Sequence, residues 1–240
     1  MSDLAGEPSM SGTVYLYDID HNASKTNEKI GNNSSSSWKY IAEDDIGKAL
    51  KNADFVVISI LPGTFDEMES DVHAPEKYGV YQSVGDTTGP GGVIRSMRTV
   101  PMYIEFANAI KEYCPNAWVI NYTNPMAVCV STLYKVFPQI KAFGCCHEVF
   151  STQKLLISAL KEKIDVDIER TDLYTNVIGI NHFTWVNKAQ YKDINLIPVY
   201  SDFVDKCYDE GFVENKHDHW MNKFFGSTQR VKFDLFKRYG

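Results

Sequence analysis

Basic charge is scarce in this chain. It has 24 Lys and Arg against 31 Asp and Glu, a formal net charge of −7 over 240 residues. No basic stripe is present to neutralise phosphates, which argues against a nucleic-acid partner. Long apolar runs are missing too, and the first residues lack a basic-then-apolar signal pattern. Nothing therefore reads as a membrane span or secretory leader. The five cysteines are odd in number and irregularly spaced, too few for a disulfide framework. Free thiols in a reducing cytoplasm are expected. A hydrophobic content of 44% is enough to bury a large core, as one big domain or two small ones. The expectation is a soluble, cytoplasmic, globular protein.

Residues 1–12 are polar and unpatterned, and Val14–Tyr17 is a β-type run ending in Asp18-Ile19-Asp20. Gly31 to Ser37 reads as a flexible surface loop. Asp44-Asp45 are placed to cap a short helix through Leu50, because carboxylates satisfy the first free amides. Asp54 to Leu61 is continuous and β-branched, the pattern of a strand buried on both faces. The loop Val84 to Gly92 is too glycine-rich for regular structure and leads into a helix from about Arg95 to Tyr113. Three alternations follow from this: strand 54–61 with helix 95–113, strand 117–121 with helix 126–137, and strand 140–145 with helix 149–162. They predict an α/β fold with a Rossmann-like, doubly wound parallel sheet over residues 1–165. From 166 to 240 the texture is mixed α+β. Thr171–Ile180 and His182–Ala189 read as long strands, partly antiparallel. Phe203, Val204, Cys207 and Tyr208, then Trp220, Phe224 and Phe225, then Val231, Leu235 and Phe236 have helical spacing.

A thiol and an imidazole are the strongest chemical signal. Gly144-Cys145-Cys146-His147-Glu148 ends one predicted strand, and Asn181-His182 ends another about one helix later. In an open α/β sheet, ligands bind at that rim. Cys146 and His182 are metal candidates, with open positions left for a chelating substrate. Each alone has a bland reading, packing for the cysteine and structure for the histidine. A thiolate also favours soft metals over manganese. His147 and Glu148 are placed to move protons, or only to cap the next helix. Asn124, in Asn121-Tyr122-Thr123-Asn124-Pro125, reads as a helix cap or as a rim amide that bonds a substrate hydroxyl or a nicotinamide. Arg98 suggests bidentate recognition of an anion or diol, against the alternative of an exposed helical arginine. Asp18 stands where dinucleotide-binding folds place a ribose-binding acid, or it is a solvated loop acid. The Gly-x-Gly-x-x-Gly turn that should precede it is absent. His217 and His219 are weak candidates for a pair.

Together these segments resemble glycoside hydrolase family four, the NAD- and metal-dependent glycosidases. The matching stretches are Tyr15–Asp20, Gln82–Gly92, Arg98-Thr99-Val100-Pro101, Asn121–Ala127, Gly144–His147 and Gly179–His182, in the family's order and spacing. The opening strand and glycine-rich turn of the family have no counterpart, nor does its C-terminal remainder. The chain therefore reads as an internal fragment, with the catalytic base outside it and weak NAD⁺ binding expected. The resemblance implies a redox-assisted elimination, outside the usual two-carboxylate scheme. NAD⁺ takes hydride from carbon 3 of the sugar, a base removes the proton on carbon 2, and the glycosidic oxygen leaves. Water then adds and the hydride returns. A divalent metal, usually manganese, stabilises the enediolate charge. The resemblance makes Cys146 and His182 the metal ligands, Asn124 and Arg98 substrate-binding residues, and Asp18 the ribose acid. His147 takes the place of a group that helps the leaving group depart. Asp71-Val72-His73-Ala74-Pro75 and Cys145–Phe150 are most similar to the branch that includes α-galacturonidases. Arg95 or His73 are candidate partners for a uronate carboxylate. α-Galactosidase and α-glucosidase are the near alternatives. A 2-hydroxy-acid dehydrogenase of lactate/malate type is the distant one, and it would need no thiolate metal site. The family also implies dimers or tetramers.

Overall fold

The computed structural model describes residues 2–34, 37–82, 87–213 and 228–240. Two compact units emerge, one of Met1–Ile58, Met102–Ile120 and Thr132–Phe143, the other of Ser59–Pro101, Asn121–Ser131 and Gly144–Gly240. A four-residue helix, α1 (Ser2–Ala5), opens the first unit. There β1 (Gly12–Tyr17) runs parallel to β2 (Trp38–Glu43), with Val14 opposite Tyr40. Helix α2 (His21–Ser34) makes the crossover that parallel strands require. It runs through most of the stretch expected to be a flexible loop. Gly31 explains why, since a Cβ there would lie 2.4 Å from the Tyr40 ring. Asn32 then donates to the Tyr40 carbonyl at 2.9 Å and accepts its N–H at 2.9 Å. Glycine and asparagine are here docking residues, not loop formers.

Asp45 caps α3 (Ile46–Leu50) as expected, accepting the Lys48 N–H at 2.8 Å. The strands β3 (Phe55–Ile58), β4 (Trp118–Asn121) and β5 (Lys141–Gly144) form a second sheet in that order. The parallel framework is thus divided between two sheets. β3 is not buried on both faces: Ile58 is covered, but Phe55 and Val57 on the opposite face are 61% and 60% exposed. Apolar continuity gives no sign of which face a layer will cover. Tyr103, Ala107, Ile110, Val119, Leu133 and Ile140 are among the buried apolar residues of this unit's later segments.

In the second unit, a capping box of Thr64 and Glu67 starts α4 (Phe65–His73). Helix α5 (Gly89–Tyr113) begins six residues before the expected Arg95, inside the glycine-rich loop, and contains Pro101. Helices α6 (Met126–Val136) and α7 (Glu148–Ile164) fall close to their expected bounds. β6 (Tyr174–Ile180) and β7 (Phe183–Tyr191) are antiparallel, with β8 (Ile194–Asn195) on the β7 edge. Helices α8 (Leu196–Cys207) and α9 (Arg230–Tyr239) follow. His217, His219, Trp220, Phe224 and Phe225 lie outside the described residues.

The core of this unit joins Leu155, Leu156 and Leu160 of α7 to Tyr191, Leu196, Phe203, Val204 and Phe233. Each buried Leu, Val or Phe contributes roughly 1.5–3 kcal/mol, while an exposed ion pair contributes about 0–1. That core, rather than exposed pairs such as Lys163–Asp202, holds the unit together.

Candidate metal and substrate site

The site is assembled from the residues that follow β4 and β5, the start of α5, and the β6–β7 turn. At the end of β5 the chain passes close to α6: a Cβ on Gly144 would meet the Met126 sulfur at 2.4 Å. Cys145 N–H donates to the Asn121 carbonyl at 2.9 Å and continues the ladder. Cys146 comes next, then His147 as the N-cap of α7, whose ring makes no capping bond. The β6–β7 pairing of Ile180 with Phe183 closes a two-residue turn of Asn181 and His182. His182 adopts a left-handed φ of 57°. Glu148 ties that turn to α7: Oε2 accepts the His182 N–H at 2.9 Å and Oε1 accepts the Thr184 hydroxyl at 3.0 Å.

These restraints bring Cys146 Sγ to 3.5 Å from His182 Nε2. Burial pushes the Cys146 thiol up. The contact with His182 and hydrogen bonding by the Glu148 backbone N–H and the Asn181 side chain outweigh it and hold the thiol below its ordinary value. A thiol beside a helix N-terminus and an imidazole is an ordinary setting for a thiolate. Thr87 Oγ1 lies 3.0 Å from Asn181 Oδ1 and 3.4 Å from both Asn124 Oδ1 and His182 Nδ1.

Asn124 acts as the expected cap and also faces a neighbouring side chain. Its Oδ1 accepts the Met126 N–H at 3.3 Å, as a cap does, while the same side chain borders the Thr87 hydroxyl. Arg98 is not an idle surface cation. Its Nε donates to the Pro62 carbonyl at 3.3 Å, and its two terminal nitrogens take both carboxylate oxygens of the buried Asp71. Two of its five N–H groups remain for a ligand. Arg95 is buried, and His73 is half exposed with Nδ1 on Glu76 at 2.8 Å. His147 is exposed at the α7 terminus. Asp18 is exposed at the end of β1, in the first unit, and accepts the Asp20 N–H at 2.8 Å.

Among the described residues, no three His, Cys, Asp or Glu side chains converge as a complete metal cage. The Cys146–His182 pair nevertheless suits an ion. For zinc, metal–sulfur and metal–nitrogen bonds of about 2.3 and 2.0–2.1 Å at a tetrahedral angle span about 3.5 Å, and the two donor atoms are 3.5 Å apart. Two donors, the pair found among the described residues, would leave positions open for further ligands. Asn181, Thr87 and Asp71 carry no site expectation from the sequence, and Glu148, expected to move protons or cap α7, instead holds the His182 turn. Thr87 and Asn181 lie inside the family-like stretches, but neither side-chain type announces a role.

An α/β protein with a thiol–imidazole pair beside its strand ends is what fold and site define. Within that class, the chain belongs to the family 4 glycosyl hydrolases. Residues 1–162 match that family and residues 177–240 match its C-terminal domain. The chain is 65% identical over its full length to an alpha-galacturonidase of Thermoanaerobacter italicus (strain DSM 9252 / Ab9), covering 52% of that protein. It is 54% identical over its full length to an alpha-galacturonidase of Bacillus subtilis (strain 168), covering 54% of that one. The chain thus spans about half the length of the curated relatives it matches. Among solved structures, lplD from Bacillus subtilis superposes with a TM-score of 0.87 at 53% identity, over 100% of this chain and 55% of that one. A 6-phospho-alpha-glucosidase from gut microorganisms, in complex with NAD and Mn2+, shares the fold at a TM-score of 0.74 and 20% identity, over 99% and 56% of the two chains. The family read from the motifs is the family of the chain, and its α/β fold is the one expected. No described helix is long and apolar enough to cross a membrane.

Proposed function

We propose that this chain carries the metal and substrate groups of an α-galacturonidase that works by NAD- and manganese-dependent oxidation, elimination, addition and reduction. The supporting observation is the 3.5 Å approach of Cys146 Sγ to His182 Nε2. A dehydrogenase of the lactate/malate type has no use for such a pair. When bound, NAD supplies a hydride acceptor and the divalent ion a Lewis acid for the sugar oxygens. Cys146 and His182 hold the ion, and Asn124 offers its amide to a sugar hydroxyl. Arg98, oriented by Asp71 and the Pro62 carbonyl, directs its remaining N–H groups at the glycoside. His147 donates a ring N–H proton to the departing glycosidic oxygen. Asp18 accepts from the ribose hydroxyls of NAD.

The same proposal takes residues 1–165 as the NAD-binding domain and 166–240 as the start of a second domain. It includes a dimer or tetramer, and a reducing cytoplasm, in keeping with five free cysteines. The test is release of nitrophenol from a nitrophenyl α-galacturonide by the protein that contains this chain. Release should require NAD⁺ and Mn²⁺ without build-up of NADH. Faster release from the α-galactoside or α-glucoside would overturn the uronate assignment, and steady NADH accumulation would overturn the mechanism.

A further inference from the structure

Thr87 lies in the glycine-rich segment before α5, and nothing above gives it a function. Its hydroxyl meets three polar side chains: Asn181 Oδ1 at 3.0 Å, Asn124 Oδ1 at 3.4 Å and His182 Nδ1 at 3.4 Å. A hydroxyl has one proton to give and two lone pairs with which to accept. Both amide oxygens are acceptors only, and the nearer one, on Asn181, takes the proton. The hydroxyl then has nothing left to donate to the imidazole. The His182 contact is a hydrogen bond only if Nδ1–H donates to Thr87 Oγ1. A neutral imidazole protonated at Nδ1 has a bare Nε2, and Nε2 is the nitrogen that faces Cys146 Sγ.

We infer that Thr87 is a positioning residue: through one hydroxyl it sets the tautomer of His182, so that the Nε2 lone pair faces Cys146. The inference rests on the metal site proposed above. Metal-bound histidines commonly need a partner on the second ring nitrogen, and losing it typically costs 10–100-fold in affinity. Backbone packing supports the placement. A Cβ on Gly92 would lie 2.7 Å from the Thr87 carbonyl carbon and 2.8 Å from its oxygen. Only a glycine lets the first turn of α5 sit this close to the threonine.

Two measurements on the 240-residue chain decide the matter. The first is Mn²⁺ affinity, read from the free-ion electron paramagnetic resonance signal, for wild type, Thr87→Val and Thr87→Ser. Thr87→Val keeps the branched shape without the hydroxyl and should weaken binding about tenfold, whereas Thr87→Ser should stay within about twofold. Equal affinity of Thr87→Val and wild type overturns the inference. The second needs no Thr87 variant: ¹⁵N-resolved imidazole spectra of the metal-free wild type, with the His182 signals identified by their loss in His182→Ala. The Nδ1–H tautomer is expected, and Nε2–H overturns the inference. A wild type that takes up no Mn²⁺ refutes the metal site itself, and the tautomer measurement still judges Thr87.

Discussion

Glu148 and His182 are 34 residues apart in sequence, yet the Glu148 carboxylate accepts the His182 backbone N–H at 2.9 Å. The first residue of a helix thereby fixes the turn of a hairpin. The same oxygen pair also takes the Thr184 hydroxyl at 3.0 Å. This tie holds the turn that carries His182 to the start of α7, whose cap Cys146 directly precedes.

Replacing Glu148 with alanine should therefore act on the site at a distance. A hydrogen bond to a charged group contributes about 1.5–3 kcal/mol, and urea denaturation should register a loss of that order. Mn²⁺ affinity should fall about tenfold, because an untethered turn places the imidazole less accurately. An unchanged affinity would remove Glu148 from the support of the site.

The two adjacent thiols should behave differently. Cys146→Ser and His182→Ala should each lower Mn²⁺ affinity at least about 100-fold, since each takes away one of the two donors proposed for the ion. Cys145→Ser should leave binding within about twofold, because nothing directs that side chain to His182. Isothermal titration of the three variants separates the thiols, and a loss confined to Cys145→Ser would reassign the ligand.

Asp71→Ala should destabilise the fold by about 1–3 kcal/mol. Removing one member of a fully buried pair costs about 3–5. Here the Arg98 side chain retains 30% exposure, while that of Asp71 retains 8%, so water relieves part of the penalty. Arg98→Lys should keep more stability but raise KM for the glycoside, since a single ammonium cannot replace the planar fork. Chemical denaturation and steady-state kinetics check the two halves, and an unchanged KM would exclude Arg98 from substrate binding.

Gly31→Ala sets two effects against each other. In a free helix alanine is favoured over glycine by about 0.8–1 kcal/mol. In α2 the new methyl would stand 2.4 Å from Tyr40 Cγ, and overpacking of that kind costs about 1–3 kcal/mol. Net destabilisation is expected in a thermal melt. A stabilised variant would show that α2 does not dock on Tyr40.

Local chemistry made much of this legible in advance. Asp45 as a cap and the alternation of β4, α6, β5 and α7 follow from patterns that neighbouring residues impose on one another. The misreadings have a common cause. Gly31 to Ser34 has a loop composition but is helical, because Tyr40, nine positions from Gly31, docks against it. Phe55 and Val57 have the texture of buried residues, but sheet order and layering leave their face open. Glycine 92 reads as a helix breaker until the nearby Thr87 backbone shows why no side chain fits.

By itself, the amino-acid sequence determined the family, the α/β class and the short roster of reactive residues. These depend on residue types at fixed spacings along one chain. Only the tertiary structure decided that Cys146 and His182 meet, that Asp71 and Pro62 occupy most of Arg98, and that Glu148 and Thr87 hold the histidine from either side. A hydrogen bond needs its atoms within about 3 Å and correctly directed, and no pattern of residue types encodes that distance.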